Sequence, residues 1–295
     1  MGAIVFDTQD GSNGGIIVIA APQPEMSNDG NIAASSSFYV AMRLLPRAQR
    51  EAMFAVYGFC RYVDDIADGP IPRERKIRRL CEARDHVASL FKTSASHDQG
   101  ALGQAIRQFD LDLDDFVAVI EGMEMDARGP LVAPDWATLD LYCDRVASAV
   151  GRLSVKIFGI TGDTGIALAH HLGRALQLTN VLRDLEEDAA DGRLYLPKEA
   201  LDKQGIVVKA PSETLADGRI AAVCQSLFII ANHHFELADH VLTQVSRRRG
   251  RAPRLMSKGY RLVLQRLSRR GWLPPRSNVQ LTKREKVWLI VRNAI

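Results

Sequence analysis

Cysteine is scarce in this 295-residue chain: Cys60, Cys81, Cys143 and Cys224 stand far apart and form no Cys-x-x-Cys pair. That excludes a disulfide framework and a cysteine-built zinc site, and it points to a reducing, cytoplasmic compartment. No Lys or Arg precedes Arg43, so the apolar patch at residues 16–21 lacks the basic flank of a secretory signal. The patch is also far shorter than the ~20 apolar residues a spanning helix needs. Sustained polar/apolar alternation is missing, so strands are expected to be close to absent. The only tight glycine cluster, "GSNGG" at 11–15, does not sit at a strand-to-helix turn, which argues against a nicotinamide-binding loop. No Glu-x-x-His pair occurs, which disfavours a di-iron carboxylate bundle.

What is present is helix. Hydrophobic residues make up 46% of the chain and charged ones 25%, an ordinary globular balance. "SSSFYVAMRLLP" (35–46) reads as a serine cap, a short helix and a proline stop. Helices are expected over 47–68, closed by Gly69-Pro70, and over 73–91, 101–109 and 112–127. More follow from Asp135, over 166–190, from Pro197, over 212–247 and over 253–271. This pattern predicts an all-α protein, a single bundle of eight to ten helices. Residues 1–30, rich in Gly, Ser, Asn and Asp, are expected to be a leader without order. Residues 31–280 then form one domain, and 281–295 a basic amphipathic tail.

Charge is unevenly spread. The chain totals 38 Lys or Arg against 35 Asp or Glu, yet from residue 247 onward there are fifteen basic residues and one acid, Glu285. The tail carries about +14 and the body about −11, which suggests an anionic partner for the tail. Nucleic acid fits poorly, since few aromatics are available there to stack on bases. In "LTKREKVWLIVRNAI" (281–295), Leu281, Val287, Trp288, Val291 and Ile295 make an apolar stripe flanked by Lys283, Arg284, Lys286 and Arg292. That pattern suits a helix lying on an anionic membrane, as opposed to one spanning it.

Two acidic clusters carry the chemistry. "RYVDDIADG" (61–69) and "QLTNVLRDLEEDAADGRLYLP" (177–197) each contain an Asp pair four residues apart, Asp64/Asp68 and Asp184/Asp188. Such spacing puts both carboxylates on one helix face, ~6 Å apart along the axis. Either run alone reads first as a solvated helix end. Two of them on otherwise apolar helices, if facing, would ring one pocket with four carboxylates, which repel unless cations join them. With oxygen ligands only, Mg²⁺ is the fitting ion, commonly bridging carboxylates to phosphate. Arg61 and Arg183 stand beside the pairs, and Gln177 and Asn180 extend the second polar face. Paired Asp-rich helices, Mg²⁺ and arginines make a trap for diphosphate.

These segments, with "SSSFYVAMRLLP", "LYCDRVASAVG" and "DGRLYLP" in the same order, closely resemble the squalene/phytoene synthase family over about residues 33–270. The resemblance implies an all-α isoprenoid synthase built around a central cavity, joining two prenyl diphosphates head to head. Asp64 and Asp68 match the first metal pair of that family, and Asp184 and Asp188, with Asn180, the second. Tyr57, Arg61 and Arg183 match positions that contact diphosphate, as do Ser37 and Phe38 at the mouth and Gln177 within the site. Tyr142 and Tyr195 match cavity tyrosines, Tyr260 lies in a later helix of the family, and Arg193 is counted with the substrate-binding residues. Asp65 and Glu187 support the motifs. "EGMEMD" and "RAPRLMSKGY" favour members that condense two farnesyl diphosphates to presqualene diphosphate in hopanoid synthesis. Members that make phytoene from two geranylgeranyl diphosphates are the alternative, followed by dehydrosqualene or squalene synthases. Mg²⁺ is the implied cofactor, with no NADPH, and a downstream isoprenoid enzyme would receive the product.

Other readings compete. Each tyrosine could be a core residue, Arg193 could pair with a helix end, and Gly151 reads as a point of close helix packing. His170-His171 reads as a surface or core pair, and Val146, Val150 and Leu153 as core that would also line a prenyl tunnel. A terpene cyclase would place Ser or Thr where Asp184 stands, and a head-to-tail prenyltransferase would carry a second DDxxD. A helical lipid carrier would need no Mg²⁺.

Overall fold

The computed structural model describes residues 3–6, 17–20, 42, 45–92, 100–282, 284, 285 and 288. Within the segment expected to lack order, β1 (Ala3–Phe6) and β2 (Ile17–Ala20) pair antiparallel, Ala3 opposite Ala20. Both runs are rich in β-branched residues, which favour the extended chain, and pairing satisfies their backbone groups. Otherwise the described residues are helices and connections, as the periodicity predicts.

Helix α1 (Arg47–Asp68) follows from its spacing. Ala52, Met53, Val56, Phe59, Val63 and Ile66 recur at helical intervals and are buried, while Arg47, Glu51, Arg61 and Asp65 stay outside. Gly69 ends it, its N–H donating to the Asp65 carbonyl at 3.1 Å, and Pro70 prevents continuation. Helices α2 (Arg73–Lys92), α3 (Gly100–Phe109) and α4 (Leu113–Ala127) pack beside it. Phe59 meets Phe116 of α4 edge-on with ring centres 5.1 Å apart, a contact worth ~0.5–1.5 kcal/mol beyond its buried area.

Helix α5 (Trp136–Cys143), a π-helical turn (Asp144–Ser148) and α6 (Ala149–Ile157) follow one another without a break. Behind them lies α7 (Gly162–Arg183), buried on most of its circumference and packed against α5, the π turn, α6, α11 (Ile220–Thr243) and α12 (Arg251–Arg270). Small residues permit this. A Cβ on Gly173 would lie 2.7 Å from the Cα of Ser148, and one on Gly151 would lie 3.2 Å from Ala169. Gly151 is therefore a packing glycine, as read from sequence.

Twelve helices are described against the eight to ten expected, and two breaks account for much of the difference. The expected 166–190 helix divides at Asp184 into α7 and α8 (Leu185–Ala190). The expected 212–247 helix divides into α10 (Pro211–Leu215) and α11, because the Asp217 carboxylate captures the backbone N–H and guanidinium of Arg219. The short α9 (Lys198–Lys203) follows Pro197. The 35–46 helix falls largely outside the described residues. No described helix is long and apolar enough to cross a membrane.

Candidate active site

Helix α1 delivers the first acidic motif. Arg61 donates to Asp64 at 2.8 Å and to Asp65 at 2.9 Å, holding both carboxylates on one flank of the helix. Tyr57, one turn earlier, is half-buried; burial raises its phenol, with the Arg61 charge opposing and the Asp64 charge adding. Asp64 is itself raised, first by burial and then by Asp68 and Asp65, against the pull of Arg61 and Arg193.

The second motif sits at the break after α7. Asp184 leaves helical geometry at φ −98°, ψ 16°, while Arg183 clasps it with two hydrogen bonds of 2.7 and 2.6 Å. The helical spacing survives the kink: Asp184 N–H donates to Asn180 O at 2.9 Å, and Asp188 N–H donates to Asp184 O at 2.8 Å. Asn180, Asp184 and Asp188 thus keep the i, i+4, i+8 row expected of an unbroken helix. Burial lowers the Arg183 guanidinium, but Asp184 first and then Tyr260 of α12 outweigh it and hold it above its ordinary value. Gln177 accepts from Asn180 Nδ2 at 3.4 Å, and Asn180 Oδ1 is buried with no hydrogen-bond partner among the described residues.

The two motifs meet at Arg193. Its Nη1 donates to Asp68 at 3.2 Å, its Nε lies 3.9 Å from Asp188, and its Nη2 holds Asp191 at 2.9 Å. One guanidinium therefore supplies counter-charge to carboxylates 120 residues apart in the chain. Backbone geometry places it. Leu194 donates to Leu131 O and Ala133 donates to Leu194 O, each at 2.8 Å, a parallel bridge that ties the loop after α8 to the loop before α5. Ala133 takes φ 48° to make it.

Beyond Arg193 lies a residue that the sequence reading passed over. Asp126, at the end of α4, accepts from the hydroxyls of Tyr142 and Tyr195, each at 3.1 Å. The two rings stack with centres 4.9 Å apart, and their hydroxyls lie 3.2 Å from each other. Burial raises Asp126 to about 6, against the pull of the Tyr195 hydrogen bond and Arg193. Burial also pushes both phenols well above their ordinary value, so they serve here as neutral donors. Asp188 is raised to about 7, by burial first and then by Asp184, Asp126 and Asp191, against Arg193. The "EGMEMD" segment ends in Asp126, but its partners are 16 and 69 residues away, beyond any local pattern.

Of the residues expected at the site, Asp68, Asp188 and Arg193 meet directly, Arg61 pairs with Asp64 along α1, Gln177, Asn180, Arg183 and Asp184 are linked along the end of α7, and Tyr142 and Tyr195 share Asp126; Tyr57 and Tyr260 are placed beside Arg61 and Arg183 by their electrostatic influence. Ser37 and Phe38 lie outside the described residues. Leu153 is fully buried, while Val146 and Val150 are only partly covered. The donor set suits a hard divalent cation: clustered carboxylates are raised by burial and by one another, and a buried amide oxygen beside them lacks a partner among the described residues.

Comparisons with known proteins bear on the family and the fold. The squalene/phytoene synthase family matches residues 33–285. Presqualene diphosphate synthase of Rhodopseudomonas palustris is 51% identical over 92% of this chain and 98% of its own. Phytoene synthase of Mycobacterium tuberculosis is 35% identical over 78% of this chain and 77% of its own. Among solved structures, a dehydrosqualene synthase superposes with TM-score 0.75 at 26% identity, covering 90% of this chain and 93% of its own. Squalene synthase HpnC of Alicyclobacillus acidocaldarius gives 0.72 at 27%, covering 80% and 89%. Two Asp-rich segments brought together around Arg193, on a helical fold shared with these enzymes, make the chain a member of the squalene/phytoene synthase family.

Proposed function

We propose that the chain is a presqualene diphosphate synthase, condensing two farnesyl diphosphates head to head with release of one diphosphate and one proton. The observation that carries this reading is the convergence of Asp68 and Asp188 on Arg193, in a chain 51% identical to an enzyme of that name. Asp64, Asp68, Asn180, Asp184 and Asp188 would hold Mg²⁺. When bound, that ion supplies positive charge to a departing diphosphate. Arg61, Arg183 and Arg193 add fixed positive charge around the same anion, and Tyr57 and Gln177 supply polar contacts. Departure breaks the C–O bond of the donor, and the apolar wall keeps water from its allylic cation. The acceptor double bond then attacks, two new C–C bonds close the cyclopropane, and one proton leaves. Asp126 keeps Tyr142 and Tyr195 stacked beside the motifs, presenting a rigid polar edge to the reacting chains.

The reaction ends before reduction, without NADPH. The basic tail rests on anionic lipid and keeps the amphiphilic product near the enzyme that consumes it. Incubation with farnesyl diphosphate and Mg²⁺, with and without NADPH, tests the reading by product mass. Presqualene diphosphate is expected in both cases. An NADPH-dependent squalene peak would overturn the stopping point, and turnover of geranylgeranyl diphosphate alone would favour phytoene synthesis. Asp64→Asn and Asp184→Asn should each lower kcat by ~10²-fold or more with unchanged helical circular dichroism. Activity within about threefold of the parent in both would remove the metal assignment.

A further inference from the structure

His170 and His171 stand side by side on α7, and His234 of α11 closes on them. The Nδ1 atoms of His171 and His234 are 3.1 Å apart. Ring centres are separated by 4.8 Å for His170 and His171, 5.9 Å for His170 and His234, and 5.4 Å for His171 and His234. One nitrogen from each ring lies within 4.8 Å of the others, and all three rings are half-buried. His171 precedes Asp184 by thirteen residues, ~20 Å along a helix, so this group is separate from the acidic motifs.

Three features set the trio apart from an ordinary polar contact. One pair is already at ligand spacing: Zn–N bonds of ~2.0–2.1 Å in a tetrahedron put nitrogens ~3.4 Å apart, the His171 and His234 nitrogens are 3.1 Å apart, and a nitrogen of His170 lies within 4.8 Å of a nitrogen on each of the other two rings. Its surroundings can balance a cation. Arg174 is bonded by Asp140 at 2.7 and 2.9 Å and by Asp144 at 3.2 Å, while Arg152 pairs with Asp115 and Asp144, leaving three carboxylates against two guanidiniums. Its rings are held in the neutral, ligating form. Burial lowers all three, His234 to about 4, with Arg174 and the neighbouring imidazoles, His233 among them, adding to the effect on His234.

We propose that His170, His171 and His234 form a nitrogen-ligand site for Zn²⁺, its fourth position open to water, that clips α7 to α11. Imidazole donors select borderline transition ions over Mg²⁺, so the site does not compete for the metal of the acidic motifs. Binding needs no net proton release, since the proton shared between His171 and His234 moves to a ring nitrogen that faces away from the ion.

Zn²⁺ alone, titrated into metal-free full-length protein against a chromophoric chelator, tests this. One equivalent should bind per chain and raise the Tm. Co²⁺ in its place should show the visible spectrum of a tetrahedral nitrogen site. His171→Gln and His234→Gln should each weaken binding by more than the ~10–100-fold that loss of a mere supporting residue costs. Asp184→Asn should bind Zn²⁺ as the parent does. The site is overturned if the parent binds no stoichiometric Zn²⁺, if both histidine variants bind it unchanged, or if Asp184→Asn abolishes it. Should the histidine variants fail to fold, the cobalt spectrum of the parent decides alone: carboxylate ligation or octahedral geometry would refute the assignment.

Discussion

Asp126 shows how one side chain can set two others. Its two oxygens accept from Tyr142 and Tyr195, and protonation would leave only one of them free to accept without rearrangement. With its carboxyl raised to about 6, kcat should fall on the acid side near that pH. Asp126→Asn should lower kcat by about tenfold or more, the scale of one broken buried hydrogen bond to a charged group, with less effect on KM. It should also remove the part of the acid limb centred near 6 while leaving any part set by Asp188 near 7, which a purely structural residue would not do. The raised carboxyls of Asp126 and Asp188 have a further consequence. Their folded values, about 6 and about 7, exceed the ordinary 3.8, so their contribution to stability is full below that value and is lost as pH rises through 6 and 7. Cations that favour the ionised forms reverse this loss. The Tm gain from Mg²⁺ plus inorganic pyrophosphate should therefore be larger near pH 8 than near pH 6. A gain independent of pH would count against the acidic motifs as the metal's seat.

Among the elements, α7 does most to organise the molecule, since it carries Gln177, Asn180 and Arg183 at one end and touches five neighbours. Its approach to the π turn depends on Gly173, where a Cβ would meet Ser148 backbone at 2.7 Å. Gly173→Ala should cost ~1–3 kcal/mol in urea unfolding, as overpacking does, and should lower activity by shifting the Asp184 kink. Gly58 of α1 provides the contrast. Among the described residues nothing lies within 4 Å of a Cβ placed there, so Gly58→Ala should raise stability by ~0.5–1 kcal/mol through helix propensity. Equal effects of the two substitutions would mean that packing at Ser148 is not what Gly173 serves. The break at Asp184 belongs to this scale as well. Sequence periodicity ran straight through it, because the kink keeps the i+4 backbone bonds and changes only one residue's dihedral angles.

At the scale of the whole molecule, charge divides the chain into an acidic body and a basic end. The structure alters the expected apolar stripe of residues 281–295: Leu281 is buried in the core, and Glu285, the one acid there, pairs with Arg266 of α12. Trp288 is more than half exposed, and Val287, Val291 and Ile295 lie outside the described residues. A lipid contact would thus begin beyond the segment that α12 and the core hold. Cosedimentation with anionic vesicles should fall with salt, each basic residue near the surface contributing ~1 kcal/mol. It should also fall on deletion of residues 286–295, with turnover of detergent-solubilised farnesyl diphosphate retained. Equal sedimentation of both forms would leave the basic end as a solvated surface.

The sequence by itself determined the helices and the chemistry of the two motifs. Helical periodicity, Gly69-Pro70 and the repeated Asp-x-x-x-Asp spacing are local, and local spacing fixes which side chains share a helix face. Tertiary structure alone decided which faces meet. Arg193, readable from sequence as a helix-end partner, lies between Asp68 and Asp188 because a parallel backbone bridge at Leu194 draws its loop across to the loop before α5. Asp126 holds Tyr142 and Tyr195, and His234 reaches His171 from 63 residues away, for the same reason. Contacts between distant segments depend on how buried faces pack, and no periodicity within a single helix encodes its partner.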